Sequence, residues 1–430
     1  MRRIVVILLL LLPATLWAQG EMLVLKGRVT AAGRVVPYAT VQLVGTSIGV
    51  SCNDDGEYTL KLPAGHEGDT VLVRSVGYES VRLPVASLLK HSNIRLKVQE
   101  VQLQEVQVKS YRDGNHLLKA AIGRIGDNYH RRMARSTFFY RDWRAVDDEL
   151  YVFDEAVMNV MRAGYCRNDN KRSHSFDPNA RDMRSNYKSV LRHRLLVYDR
   201  RLLEAKVKDG EGVDELLSFS ENELFFDLLE APMASYATMW RLHYFEPVQE
   251  FADNGEIFYL VRSKGVGRYR SATVVYDYVI RKSDLAIVRI SSTLVPLSME
   301  APQETWVGVH YNKLYIDADS SSWSYDVRDG KYTLTHYYNS HRYRLSSRFV
   351  SIPQQRWQRC IDWTLTDFSA TEDTLTSDTL AVRPQTLMGA FGQSDYDRDY
   401  WGHYNTVPID TQPLEMLRVK LSAKQRKDNE

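Results

Sequence analysis

The chain has 430 residues, 44% hydrophobic and 26% charged, which is enough apolar material for two or three packed domains and too much for a disordered chain. Its 56 basic and 54 acidic residues nearly cancel, so it lacks the basic field of a dedicated nucleic-acid binder or of a polybasic membrane surface. Cys52, Cys166 and Cys360 are too few and too widely spaced for a cysteine metal centre or a disulfide framework, leaving at most one optional pair.

Residues 1–18 read as a secretory signal peptide. Arg2 and Arg3 precede the apolar run Ile4–Leu12, Pro13 ends it, and a small-residue cleavage point follows at Ala18. The run is too short to span a bilayer, and no later stretch approaches ~18 apolar residues. No Cys lies beside the cleavage point to carry a lipid. Without Arg2 and Arg3 the chain holds 54 basic and 54 acidic residues. The expectation is an exported protein, periplasmic or associated with the outer membrane, with no transmembrane span in the mature chain.

Residues 22–109 alternate with the period of a half-buried strand. Ala39, Val41 and Leu43 share one face, as do Tyr58, Leu60 and Leu62, and then Ile94, Leu96 and Val98. Asp54-Asp55-Gly56, Pro63-Ala64-Gly65 and Val76-Gly77-Tyr78 punctuate the runs as turns. Short strands at this spacing predict an antiparallel β-sandwich.

The same stretch carries a resemblance. Leu25-Lys26-Gly27-Arg28-Val29, Val36-Pro37-Tyr38-Ala39-Thr40-Val41, Gly45-Thr46, Asn53-Asp54-Asp55-Gly56-Glu57-Tyr58, Ser75-Val76-Gly77-Tyr78 and Val101–Val108 follow in that order. This succession resembles the carboxypeptidase-regulatory-like domain of exported Bacteroidota proteins. The resemblance covers about a fifth of the chain. It implies a transthyretin-like sandwich with an accessory, non-catalytic role.

Beyond it, residues 113–392 are expected to form a helix followed by a larger antiparallel β-rich domain with some helices, making the whole chain mainly β. Asn115 is a candidate cap for a helix whose face is Leu117, Leu118, Ala121, Ile122 and Ile125, extended a turn by Tyr129 and Met133. Asn128-Tyr129, Phe138-Phe139-Tyr140-Arg141, Asp154-Glu155-Ala156 and Gly164-Tyr165 resemble the region that follows this sandwich in other Bacteroidota envelope proteins, which implies location and architecture but no activity. Leu191, Leu195 and Leu196, and Leu224–Leu229, have helical spacing. Glu256–Val261 is expected to pair across Asn254-Gly255 with a strand ending near Gln249. Ala272–Ile280, Ala286–Leu294, Trp306–Ile316 and Lys331–Asn339 read as strands, with a hairpin turn at Asp329-Gly330. Residues 393–430 hold the aromatic block Asp399–Asn405, similar to the closing segment of the same group. An amphipathic stretch Leu414–Leu421 and a basic tail with Lys420, Lys424, Arg426 and Lys427 follow.

Several motifs imitate catalytic sites. Gly45-Thr46-Ser47-Ile48-Gly49 matches the serine-hydrolase pattern, but that chemistry needs a strand-to-helix turn and here a β segment follows. His243 and Glu246 match a zinc pair, with His336 or His341 as a third ligand. On a strand the two would face opposite ways, and a zinc carboxypeptidase body needs an alternating α/β domain. Asp395, Asp397 and Asp399 begin like a calcium loop, but Tyr400 and Thr406 stand where Gly and Glu are required. His341-Arg342-Tyr343-Arg344 suits one strand better than a stacking platform. No catalytic, cofactor-binding or metal residue is therefore assigned, and no cofactor. The expected function is binding or scaffolding among envelope proteins or glycans. The alternatives are a metallocarboxypeptidase-like peptidase and a carrier of an apolar ligand.

Overall fold

The structure is a computed structural model that describes residues 22–46, 48–75, 78–98, 104–105, 113–131, 134–162, 165, 186–198, 227, 229, 245–253, 255–264, 266–269, 272–296, 303–307, 310–347, 355–370 and 398–428. It is mainly β and its sheets are almost wholly antiparallel.

The N-terminal sandwich packs two sheets face to face. In the first, β1 (Met22–Ala31) lies between β2 (Arg34–Val35) and β5 (Glu57–Pro63), and β8 (Ile94–Leu96) joins β1 in parallel. The second has the order β4 (Gly49–Ser51), β3 (Thr40–Leu43), β6 (Thr70–Arg74), β7 (Val81–Pro84). A one-turn helix α1 (Val85–Leu88) follows β7. The expected alternation holds: Val41, Leu43, Tyr58, Leu60, Leu62, Val71 and Val73 fill one core. Gly56 turns the chain at φ +71°, as the Asp-Asp-Gly signal requires. At Val98 the expectation fails. The strand stops at Leu96, and Val98 is 51% exposed with a single bridge to Tyr78.

A short helix pair, α2 (Gly114–Gly123) and α3 (Ile125–Asn128), precedes the large sheet. The N-cap is Asp113 rather than Asn115, because the Asp113 carboxylate accepts the His116 N–H. Tyr129 is already extended, with its ring in the core, so it does not prolong the helix. Met133 lies outside the described residues.

The large sheet runs in the order β12 (Asn186–Tyr198), β11 (Glu149–Arg162), β10 (Ala134–Val146), β21 (Gln355–Ala370), β20 (Lys331–Ser347), β19 (His310–Arg328), β17 (Ile287–Pro296), β16 (Ala272–Arg281), β14 (Glu256–Arg262), β13 (Gln249–Asp253) and β9 (Gln104–Glu105). Two short strands, β15 (Val266–Tyr269) and β18 (Gln303–Val307), pair with β16 and β19. Three expectations are corrected. Leu191, Leu195 and Leu196 lie on strand β12, whose pairing with β11 slips at three bulges, so the leucines depart from period two. The run Trp306–Ile316 is two strands, with Val307 paired to His310 across a two-residue connection. Gln249 begins its strand instead of ending it. Of Leu224–Leu229, only Asp227 and Leu229 are described, Leu229 in a turn.

The two faces of this sheet differ in chemistry. On one, Tyr140, Trp363, Tyr337, Trp323, Ile290 and Tyr278 stand in register on adjacent strands. They pack with Leu117, Leu118, Ala121 and Ile122 of α2 into the main core. The opposite face turns toward the sandwich and the C-terminal segment, which contains α4 (Arg398–His403) and α5 (Thr411–Asp428). There Trp401 and Val407 cover Phe139 and Val157, and Leu417 joins Trp143, Phe153 and Cys360. Among the described residues, no helix is long and apolar enough to cross a membrane.

Candidate functional site

Residues 401–411 act as a strap that seats the sandwich on the sheet. β5 is an edge strand, and its outward backbone groups at Lys61 are both taken by one side chain. Asn405 accepts from the Lys61 N–H at 2.7 Å and donates to the Lys61 carbonyl at 3.0 Å, which closes that part of the edge. The Lys61 ammonium donates to the carbonyls of Trp401, Gly402 and Tyr404 at 3.2, 2.7 and 2.9 Å. At the Asp-Asp-Gly turn, Asp410 accepts from the Asp54 N–H, and Asp55 accepts from the Thr411 N–H and hydroxyl. Arg141, in the sheet, pairs with the fully buried Glu155 and donates to the carbonyls of Val407 and Pro408.

Direct contacts complete the seat. The Tyr38 ring lies 5.4 Å from that of His336 and 5.2 Å from that of Tyr338. Arg74 pairs with Asp326. The seat gathers acids: Asp54, Asp362 and Asp410 sense one another electrostatically. Burial, then the charge of Asp54, pushes the Asp410 carboxyl up to about 7, and burial also raises Asp54. Burial works to raise Asp362, but His336 beside it at 3.3 Å, together with Arg141 and the Thr364 hydroxyl, holds it low.

Where sandwich and sheet do not touch, they enclose a cleft of about 360 Å³. One wall is the sandwich, with Tyr38, Thr40, Gln42, Ser51 and Arg74. The floor is the polar face of the sheet. In one cross-strand row, Arg289 of β17, Ser324 of β19, His336 of β20 and Thr364 of β21 stand side by side. Phe258 adds apolar surface beside the row. Arg281 pairs with Asp284, while Arg74 and Arg328 share Asp326. Arg289 has no ion pair or hydrogen bond among the described residues. Burial pushes its guanidinium below the usual arginine range, and Asp253 pulls the other way.

Among the described residues, the motif residues do not converge. His336 and His341 lie on one regularly paired strand, five residues apart, and so face opposite sides. His336 meets Asp362 and His341 meets Asp319. Glu246 lies ahead of β13, its N–H bonded to the Arg262 carbonyl. His243, Ser47, Asp395 and Asp397 lie outside the described residues, and Asp399 is in the first turn of α4. β3 and β4 pair antiparallel, with the Leu43 N–H bonded to the Ile48 carbonyl. Cys52 and Cys360 are buried free thiols, and burial pushes both up; Cys166 is outside the described residues. The Arg289 row escapes a linear reading. Its members are spread from residue 289 to 364, each a common polar residue on a strand.

Comparisons with known proteins fit the N-terminal assignment. No curated protein matches the sequence. Among solved structures, a match is a protein from Bacteroides fragilis described as a "putative membrane-associated protein of unknown function". It is 8% identical, the alignment covers 80% of this chain and 97% of that one, and the TM-score is 0.14. The family model described as CarboxypepD_reg-like domain matches residues 25–108. At those residues the chain therefore carries a carboxypeptidase-regulatory-like domain.

Proposed function

We propose that the chain is an exported, non-catalytic binding protein of the envelope, whose domain at 22–109 and β-rich body at 113–392 act as one unit joined by the segment 393–430. The cleft between them is its ligand site. The observation that carries this reading is the shared wall. Residues of both units line one polar cleft, and the strap fixes their relative position through buried or charge-assisted contacts. An accessory sandwich that merely spaced two units would not need such a seat.

The mixed polar lining favours a hydrogen-bonding ligand over a purely apolar one. The pairing of His336 with Asp362 and of His341 with Asp319 weighs against either as the third ligand of a peptidase zinc set. Native mass spectrometry of the full chain, purified from an exporting host, tests the reading. A small-molecule adduct is expected, and Ser324→Trp, which fills the cleft floor, removes it. Peptide hydrolysis abolished by Ser47→Ala or His243→Ala would overturn it, as would an adduct that survives the filled cleft.

A further inference from the structure

We propose that Arg289 is the carboxylate seat of the cleft and that its ligand is a small organic acid with an apolar body. This rests on the cleft being a ligand site and names the chemistry of its occupant.

The argument begins with charge. Four arginines line the cleft. Three of them, Arg74, Arg281 and Arg328, are committed to carboxylates of the chain. The fourth, Arg289, is half-buried in the floor with no carboxylate at ion-pair distance among the described residues. A partly desolvated guanidinium without a bound anion carries a cost that is relieved when an anion arrives. Asp253, which also lines the cleft, offsets part of the charge electrostatically but forms no ion pair with it. Glu256 accepts from the Ser283 hydroxyl at 3.4 Å.

Shape then selects among anions. A guanidinium presents parallel N–H donors that match a planar carboxylate. Along the same row, Ser324 and Thr364 supply hydroxyls next to Arg289 and beyond it. Phe258 adds apolar surface beside that floor, which suits the body of an organic acid and gives nothing to a bare inorganic ion. The volume of 360 Å³ holds a molecule of a few to a dozen heavy atoms. The acid can be a free metabolite or the C-terminus of a short peptide, since both present the same group.

Calorimetric titration of the full chain separates the possibilities. The probes are acetate, isovalerate and 3-phenylpropionate, each with its neutral amide, the tripeptide Ala-Ala-Phe with its C-terminal amide, and inorganic phosphate. The acids with apolar bodies are expected to bind, and their amides at least roughly tenfold more weakly, since each lost charge-assisted hydrogen bond is worth more than tenfold. Arg289→Met abolishes that preference, whereas Arg289→Lys retains a weakened one, which shows that charge and not folding is read. Tighter binding of Ala-Ala-Phe than of 3-phenylpropionate identifies a peptide end as the source, and the reverse identifies a free acid. Acid and amide binding alike, an acid preference surviving in Arg289→Met, or phosphate binding as well as the acids would overturn the inference. A neutral adduct lost on Ser324→Trp would leave the cleft as a ligand site and remove only the carboxylate seat. An absence of any occupant, native or added, would remove both.

Discussion

Replacing Lys61 with Met keeps the aliphatic stem and removes the ammonium that gathers three strap carbonyls. A hydrogen bond to a charged group contributes about 1.5–3 kcal/mol, so three would sum to several kcal/mol. Two effects reduce the net. Lys61 is only partly buried, so water can take over the released carbonyls. Freeing the side chain also returns up to about 2 kcal/mol of rotamer entropy. A net loss of about 2 kcal/mol remains, which shifts the seated-to-open equilibrium roughly 30-fold. The Lys61 amide is a built-in reporter, because it points away from the sheet and is protected by Asn405 of the strap. Hydrogen–deuterium exchange of Lys61→Met should therefore show the amide of residue 61 exchanging roughly 30-fold faster, with the sandwich core unaffected. Unchanged exchange at residue 61 in a folded variant would refute the role given to the ammonium.

Two further outcomes follow from the same seat. The Asp410 carboxyl is raised from 3.8 to about 7 by burial and by Asp54. The seated state thus binds a proton that the open state releases, and seating is strongest below pH ~4 and weakens as pH rises to about 7, by up to about 4 kcal/mol. Asp410→Asn, which keeps an oxygen for the Asp54 N–H, should flatten that dependence in exchange or proteolysis measured between pH 5 and 8, and a slope retained in the variant would contradict the assignment. Arg141→Met strands the fully buried Glu155 and should cost about 3–5 kcal/mol in urea unfolding, with much of the loss recovered when Glu155→Met is added; a single-variant loss below about 1 kcal/mol would contradict it.

The sandwich was legible because its strands are short, regular and one-sided, so each buried residue advertises itself two positions later. Val98 kept the alternation but lies past the end of β8, held by one bridge to Tyr78 and left exposed. The helix face Leu117–Ile125 was equally plain, though Asp113 and not Asn115 holds the end, a choice made by one side-chain bond to His116. In the large sheet the signal weakened for a physical reason. Both faces of its central strands are covered, by α2 on one side and by the sandwich and strap on the other, so apolar residues need not alternate. Bulges in β12 then gave Leu191, Leu195 and Leu196 a helical spacing. The cleft was not legible at all. Tyr38, Arg74, Arg289, Ser324 and His336 become neighbours only when register and seating are known.

The central claim is that sandwich and sheet form one binding unit across the cleft. Spin labels at exposed Val35 of the sandwich and Asp329 of the sheet hairpin, read by pulsed electron resonance in the full chain, test it most directly. A single narrow distance that broadens in Lys61→Met is the expected result. A broad distribution already present in the unmodified seat, and indifferent to Lys61, would contradict the claim.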